Sequence, residues 1–396
     1  MKKVLFVLGN YYPTPSANGI CVDKIINKLK TKNISAVVLS LQQHGDNMEG
    51  LYFYNPPFYF SKTKNKFSDK LLSFLKIFNK TLFYPFVNGG FYRKIQKQIN
   101  TIYKKEGFDC IVSVSYPRDA CLAAIKFKKK HKNLKVISYF LDPFTDERKH
   151  KFIPKTKAIK KCLKYEQQII KKSSFVIAQL EHKEHFYNNY SNNILNKISF
   201  LGVPLLERKN SFNNHYFNNE ILSAVFAGSL YNEIRNPSYA IELFKRTHNF
   251  IFNIYSNANE QWIKSMIDGA GNIHYHKSIP YANISDVLSQ ANILINIENT
   301  ISNSTPSKVF EYLGYCKPII NFTKNKESLL CSIIDEFGIG INVYEVDTID
   351  ENIKKIKNYL SKTKPYDFDL IKEKYYIYTP EAFIDILMKQ LYENKY

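Results

Sequence analysis

Apolar residues along this chain follow two rhythms. Short, nearly unbroken runs, "KVLFVLG" (3–9), "ISAVVLS" (34–40), "DCIVSVS" (109–115), "KVISYFL" (135–141) and "SFVIAQL" (174–180), have the length and β-branched content of strands buried on both faces. Between them apolar positions recur three and four apart, which predicts helices at about 18–31, 68–80, 91–106, 117–130 and 156–172. Strands separated by helices imply a parallel sheet.

The alternation stops at "ISFLGVPLLERKNSFNNHYFNN" (198–219), a run with Gly, Pro and many Asn that reads as an interdomain linker. It then restarts, with strands expected at 222–228, 249–255, 291–297 and 317–322 and helices near 236–247, 259–267, 283–290, 306–315 and 348–361. A last amphipathic helix, about 380–394, follows Pro380. The pattern predicts one doubly wound α/β plan used twice: a first domain over 1–205, a second over 206–378, and a C-terminal helix, 379–396, returning to the first domain. A length of 396 residues suits two domains of roughly 200 each. Two such domains facing each other would leave a cleft at the carboxyl ends of both sheets, where ligands of open α/β sheets bind.

Charge is divided unevenly between the halves. The net charge is +21, but residues 1–205 hold 36 Lys and Arg against 13 Asp and Glu, or +23, leaving 20 against 22, or −2, for the remainder. Residues 62–106 carry eleven basic and two acidic residues interleaved with "LLSFLKIF" and "LFYPF", and 147–172 carry ten against two. Basic, apolar and aromatic residues mixed in this way suit the surface of an anionic bilayer. Nucleic acid and a merely solvated basic face are the rival readings, although compositional bias alone would act on both halves. No window approaches the ~18 apolar residues of a membrane helix, and "MKKVLFVLGNYYPT" reads as a strand rather than a signal peptide. Six cysteines without a C-x-x-C suit reduced thiols in the cytoplasm.

The stretch "NSTPSKVFEYLGYCKPII" (303–320) carries the most chemistry. A strand, "ANILINI", precedes it, and Thr305 with Pro306 has the form of an N-cap and first helical residue. On the helix that follows, Ser307, Lys308, Glu311 and Tyr315 share one face, and Val309, Phe310 and Leu313 the other. Free N–H groups at the helix start, the dipole and Lys308 together could take an anion, and Glu311 could accept hydrogen bonds from two neighbouring hydroxyls such as those of a ribose. An ordinary capped helix explains the same residues. "DFD" (367–369) is expected to be a solvated turn rather than a metal motif, and "EHKEH" (181–185) lacks metal-site spacing. The absence of G-x-G-x-x-G argues against a dinucleotide cofactor.

Residues 303–320 resemble the donor-site motif of retaining GT-B glycosyltransferases of the family-4 type. Other segments follow in that family's order: "NYYPTPSANGI" (10–20), "LGVP" (201–204), "FAGSLYNEIRNPSYAIELF" (226–244), "YSNA" (255–258) and "SIPYANISDVLSQANILI" (278–295). The resemblance implies a GT-B fold and sugar transfer with retention of configuration from a nucleotide-diphosphate donor. The implied acceptors are glycans of capsule, lipopolysaccharide or exopolysaccharide synthesis, and the basic, aromatic first half suggests a lipid-linked one. Together with the discounted motifs, the reduced thiols and the basic first half, the expectation is an enzyme with no cofactor, no metal and no nucleic-acid partner, cytoplasmic and peripheral on the inner face of the membrane. Arg235 matches a diphosphate-binding position, with Lys308 as the second cation, and Asp142, at the end of a strand, could orient the acceptor hydroxyl or equally cap the following turn. Gly228, Ser256, Asn303, Ser304, Thr305, Ser307 and Glu311 are implied on the donor side, and Tyr12, Asn18 and Gly19 form the loop beside phosphate or acceptor. Asn303 stands where the family places the first of two glutamates, Glu311 being the second. Two alternatives remain: a nucleotide-sugar epimerase or hydrolase of the same fold, and a non-catalytic subunit.

Overall fold

A computed structural model describes residues 1–12, 15–41, 49–55, 77–145, 152–209, 221–300, 308–363 and 366–392. The chain divides into two compact units, Met1–Pro204 with Pro380–Tyr396, and Leu205–Thr379.

In the first unit seven parallel strands, β1 (Lys3–Val7), β2 (Ser35–Leu41), β3 (Leu51–Tyr54), β4 (Cys110–Val114), β5 (Lys135–Phe140), β6 (Phe175–Gln179) and β7 (Ile198–Leu201), lie in the order β3-β2-β1-β4-β5-β6-β7. Its helices are α1 (Ala17–Lys30), α2 (77–83), α3 (Phe91–Glu106), α4 (Arg118–Lys128), α5 (Lys155–Lys172), α6 (Lys183–Asn189) and α7 (Asn192–Leu195). Helix α3 shows why the periodicity was readable. Phe91, Ile95, Ile99 and Ile102 form one buried stripe, and the helix stops at Gly107, whose φ of +64° an L side chain rarely adopts. Each such side chain contributes about 1.5–3 kcal/mol on burial, as an upper estimate. The run expected as a linker from 198 instead opens with β7, which pairs with β6.

After β3 the chain returns to the other side of β1, so the carboxyl ends of β1 and β4 form a switch point. Gly9 closes it: its N–H donates to the Tyr116 carbonyl at 3.0 Å, and a Cβ there would lie 3.2 Å from the same oxygen. Beside it Asp119 is wholly buried, with Oδ2 accepting the Val87 N–H at 2.9 Å and Oδ1 finding no hydrogen-bond partner among the described residues. Burial pushes its carboxyl up to about 7. Between pH ~4 and 7 the folded protein therefore keeps a proton that the unfolded chain has released, and stability falls as pH rises through that window. Asp119→Asn is expected to stabilise this unit by roughly 1–3 kcal/mol at pH 8 and by little at pH 4, checked by melts at both pH values.

The second unit has six parallel strands, β8 (Leu222–Ala227), β9 (Phe250–Ser256), β10 (Ile273–Lys277), β11 (Ile293–Ile297), β12 (Ile319–Thr323) and β13 (Gly340–Tyr344), ordered β10-β9-β8-β11-β12-β13. Helices α8 (Ser238–Lys245), α9 (Glu260–Ile267), α10 (Tyr281–Gln290), α11 (Lys308–Leu313), α12 (Leu329–Phe337), α13 (Ile349–Lys362) and α14 (Phe368–Lys374) accompany them. Asn296, Asn321 and Asn342 sit opposite one another on β11, β12 and β13, and their amides are hydrogen-bonded in series at 2.8 and 3.0 Å. Glu298, just past β11, accepts from Asn321, Thr323 and Ser328, so its buried carboxylate is held by three donors. "DFD" is not a turn. Asp367 caps α14 by accepting the Asp369 N–H at 2.9 Å, and Phe368 is buried.

Helix α15 (Pro380–Tyr392) belongs to the first unit and packs on α1. Phe383 meets Tyr139 edge-on with ring centroids 4.9 Å apart, and Glu381 pairs with Lys28 at 2.9 Å. All six cysteines are free thiols. Among the described residues no helix is long and apolar enough to cross a membrane.

Candidate functional site

The strand order of the second sheet reverses between β8 and β11, and the segments leaving those two strands carry most of the expected donor residues. Gly228 follows β8 directly, and Lys308 opens α11. The Lys308 ammonium donates to the Ala227 carbonyl, and one turn later the Tyr312 hydroxyl accepts the Ala227 N–H at 3.3 Å. A Cβ at Gly228 would lie 3.6 Å from Lys308 Nζ and 3.1 Å from the Phe226 ring, so glycine keeps the backbone beside the cation open.

Arg235 is placed by a small tie in its own loop, where Tyr231 and Arg235 exchange backbone hydrogen bonds at 3.1 and 2.9 Å. Its Nε donates to Asn299 Oδ1 at 3.0 Å and its Nη1 reaches the Ser229 carbonyl at 3.4 Å. Thr300 donates its N–H to Ile234 and its hydroxyl to Glu233, both at 2.8 Å, which fastens the segment after β11 to the loop after β8. Glu311 is buried, with Oε1 accepting the Tyr281 hydroxyl at 2.7 Å.

Burial holds the Lys308 ammonium below the usual lysine range; Glu311 opposes this and Arg235 adds to it. Burial likewise lowers the pKa of Arg235. Two cations made uncomfortable by burial, and only partly balanced by one carboxylate, form a site that gains by receiving an anion.

Ser256 closes β9, the strand beside β8, but its hydroxyl is engaged locally, accepting the Ala258 N–H at 3.2 Å. Asn303, Ser304, Thr305 and Ser307, with the expected cap at Thr305–Pro306, lie outside the described residues. Of the face expected to be polar, Lys308 is half-buried and Glu311 buried, and Tyr315, just past the end of α11, is buried and donates to Ser285 at 3.1 Å. Tyr281, Asn299 and Tyr312 were not anticipated. Tyr281 falls just ahead of the helix expected at 283–290, and α10 begins on it.

In the first unit Asp142 follows β5 with an exposed side chain, and Oδ1 lies 3.8 Å from His182 Nε2. Its carbonyl accepts from Ser115, at the end of neighbouring β4, at 3.4 Å. The turn after Asp142 rests on the buried carboxylate of Glu166, which accepts the Phe144 N–H at 2.6 Å and meets His185 Nε2 at 2.7 Å. "EHKEH" thus supplies one histidine beside Asp142 and another to its support. Gly19 lies in the first turn of α1, where a Cβ would stand 2.5 Å from the Asn10 carbonyl; the chain's own turn requires this glycine. Asn18 and Tyr12 are half-buried nearby in sequence, and Ser16 caps α1 through the Gly19 N–H at 3.3 Å.

No protein-family profile matches the chain, and no curated protein matches it by sequence. Solved structures do match it. Sucrose-phosphate synthase from Thermosynechococcus elongatus superimposes with a TM-score of 0.61 at 10% identity, over 99% of this chain and 98% of that one. Anabaena HepE in complex with UDP and glucose gives 0.60 at 10% identity over 99% of both chains. WaaG, a glycosyltransferase involved in lipopolysaccharide biosynthesis, gives 0.53 at 10% identity over 97% of this chain and 99% of that one. The two parallel-sheet α/β units of this protein therefore have the fold of the GT-B glycosyltransferases.

Proposed function

We propose that the protein is a glycosyltransferase that moves a sugar from a nucleotide-diphosphate donor, bound by the second unit, to an acceptor bound by the first. The observation that carries this reading is the convergence of Gly228, Arg235, Lys308 and Glu311 at the β8/β11 switch point. Breaking a sugar–phosphate bond leaves charge on the departing diphosphate, and two fixed cations beside an open glycine lower that barrier without metal or protein nucleophile. Lys308 can keep one N–H on Ala227 and turn the other two to phosphate. Glu311 keeps Tyr281 on one oxygen and offers the other to a ribose hydroxyl. Asp142, next to His182, orients the acceptor hydroxyl. Retention of configuration belongs to this reading through the motif at 303–320.

The +23 against −2 division of charge favours a lipid-linked glycan acceptor and attachment to an anionic membrane surface, as in the assembly of cell-surface polysaccharides. A thermal-shift screen against UDP, GDP, CMP, ADP and dTDP tests the donor site, since a ligand of the folded state raises its stability. One diphosphate should stabilise the protein; no shift with any of them would sink the reading. Consumption of the sugar donor without acceptor would mark an epimerase or hydrolase instead, and binding without turnover a non-catalytic subunit. Glu311→Gln is expected to weaken the stabilising diphosphate by roughly 1–3 kcal/mol in titration calorimetry. Unchanged affinity in a folded variant would remove Glu311 from the site.

A further inference from the structure

We propose that a groove on the helical face of the first unit, between α4 and α5, takes one acyl chain and the phosphate of an acidic phospholipid. It encloses about 710 Å³, within the range of small-molecule sites. Its floor is apolar: Phe86, Leu122, Ile125 and Tyr165 line it, with Phe86 and Tyr165 packed edge to face at 4.9 Å. Its rim is cationic, formed by Arg93, Lys126, Lys129, Lys132 and Lys172, and no Asp or Glu is among its described lining residues. A free anion has no use for the floor, and a neutral chain none for the rim. An acidic amphiphile uses both, chain inward and phosphate outward.

The spacing fits a chain rather than a flat ring. On α4 residues 122, 125 and 126, continued by Lys129 at its C-cap, fall on one stripe, and on α5 residues 165, 168 and 172 form the facing one. Each stripe runs about 10 Å along its helix at 1.5 Å per residue. Helix α2 flanks the opening, tied to α5 by Lys161 donating to the Leu82 carbonyl at 2.9 Å. It presents Phe78, Leu82 and Phe83 at 58%, 56% and 39% exposure, apolar groups that suit the bilayer interface.

The groove is not the acceptor crevice. Lys128, at its inner end, bonds Ser174 at 2.6 Å, and Ser174 in turn accepts the Val136 N–H, at the amino ends of β5 and β6. Asp142 and Gly9 stand at the carboxyl ends. The inference deepens the membrane part of the proposed function and rests on it, assigning the surface a lipid and a place.

The test is titration of the whole chain with monomeric dihexanoyl phosphatidylglycerol, with dihexanoyl phosphatidylcholine, glycerol 3-phosphate and a short oligothymidylate as comparisons. Saturable one-to-one binding of the phosphatidylglycerol is expected. Lys126→Ala with Lys129→Ala, both exposed positions, should weaken it at least tenfold. Gln168→Trp should do the same by filling the groove with no change of charge. Equal binding of phosphatidylcholine or glycerol phosphate, displacement of the lipid by the oligonucleotide, or binding that survives Gln168→Trp would each overturn the proposal. The diphosphate-induced thermal shift is read in parallel: its loss with lipid binding intact rejects the donor reading alone, and the converse rejects the groove alone.

Discussion

Lys308→Ala and Arg235→Ala should each lower kcat/KM for sugar transfer by about 10²–10³-fold, the usual cost of removing one preorganised donor from developing charge. The reason lies in how each cation is held. Arg235 is fixed by Asn299, Ser229 and the backbone tie to Tyr231, and Lys308 by the Ala227 carbonyl, so neither has to be ordered when the donor arrives. Loss of Lys308 leaves Ala227 with the Tyr312 hydroxyl as partner, so the fold should survive. Steady-state kinetics with melts of each variant checks this. If both variants are folded and retain full kcat/KM, the two cations do not face the leaving group. A loss confined to KM would mean that they bind donor and transition state equally.

Gly340→Ala should cost about 3 kcal/mol or more, enough to remove much of a typical domain's stability. A Cβ there would lie 2.0 Å from the Ile319 carbonyl oxygen and 2.9 Å from its carbon. These are backbone atoms of β12, paired in register with Gly340, and cannot step aside without opening the sheet. Gly271→Ala is the control: no atom of the described residues lies within 4 Å of its Cβ position and its backbone is not left-handed, so a change within about 0.5 kcal/mol is expected. Denaturant midpoints for the two variants decide it, and similar values would refute the argument.

The strands that escaped the sequence reading have one property in common. β3 and β7 are the edges of the first sheet, and β10 and β13 are the edges of the second. An edge strand is covered less and reads poorly as an apolar run. "IHYHK" alternates with histidines, and "GINVY" begins on a glycine and holds Asn342 for the buried amide ladder. Interior strands such as "CIVSV" are buried at every position and were plain. The site divides in the same way. Gly228 and Arg235 could be named from the segment 226–244, and Lys308 and Glu311 from 303–320. Tyr281 on Glu311 and Asn299 on Arg235 are contacts across 30 and 64 residues, which no local pattern announces. The polar face of α11 was misjudged for a related reason, because Lys308 answers to the Ala227 carbonyl of β8 and Glu311 to the Tyr281 hydroxyl of α10 rather than to water alone.

Helix α15 makes the second unit an insertion, since the first unit consists of Met1–Pro204 and Pro380–Tyr396. During synthesis the chain up to Thr379 can complete the second unit while α1 still lacks its cover. The first unit to be made is then the last to finish, against the common order in which domains fold as they emerge. Until Phe383, Ile384 and Leu387 arrive, the surface around Tyr139 and α1 stays open to water or to a chaperone. A chain that stops short of Pro380 would therefore damage the half of the protein farthest from the cut in sequence.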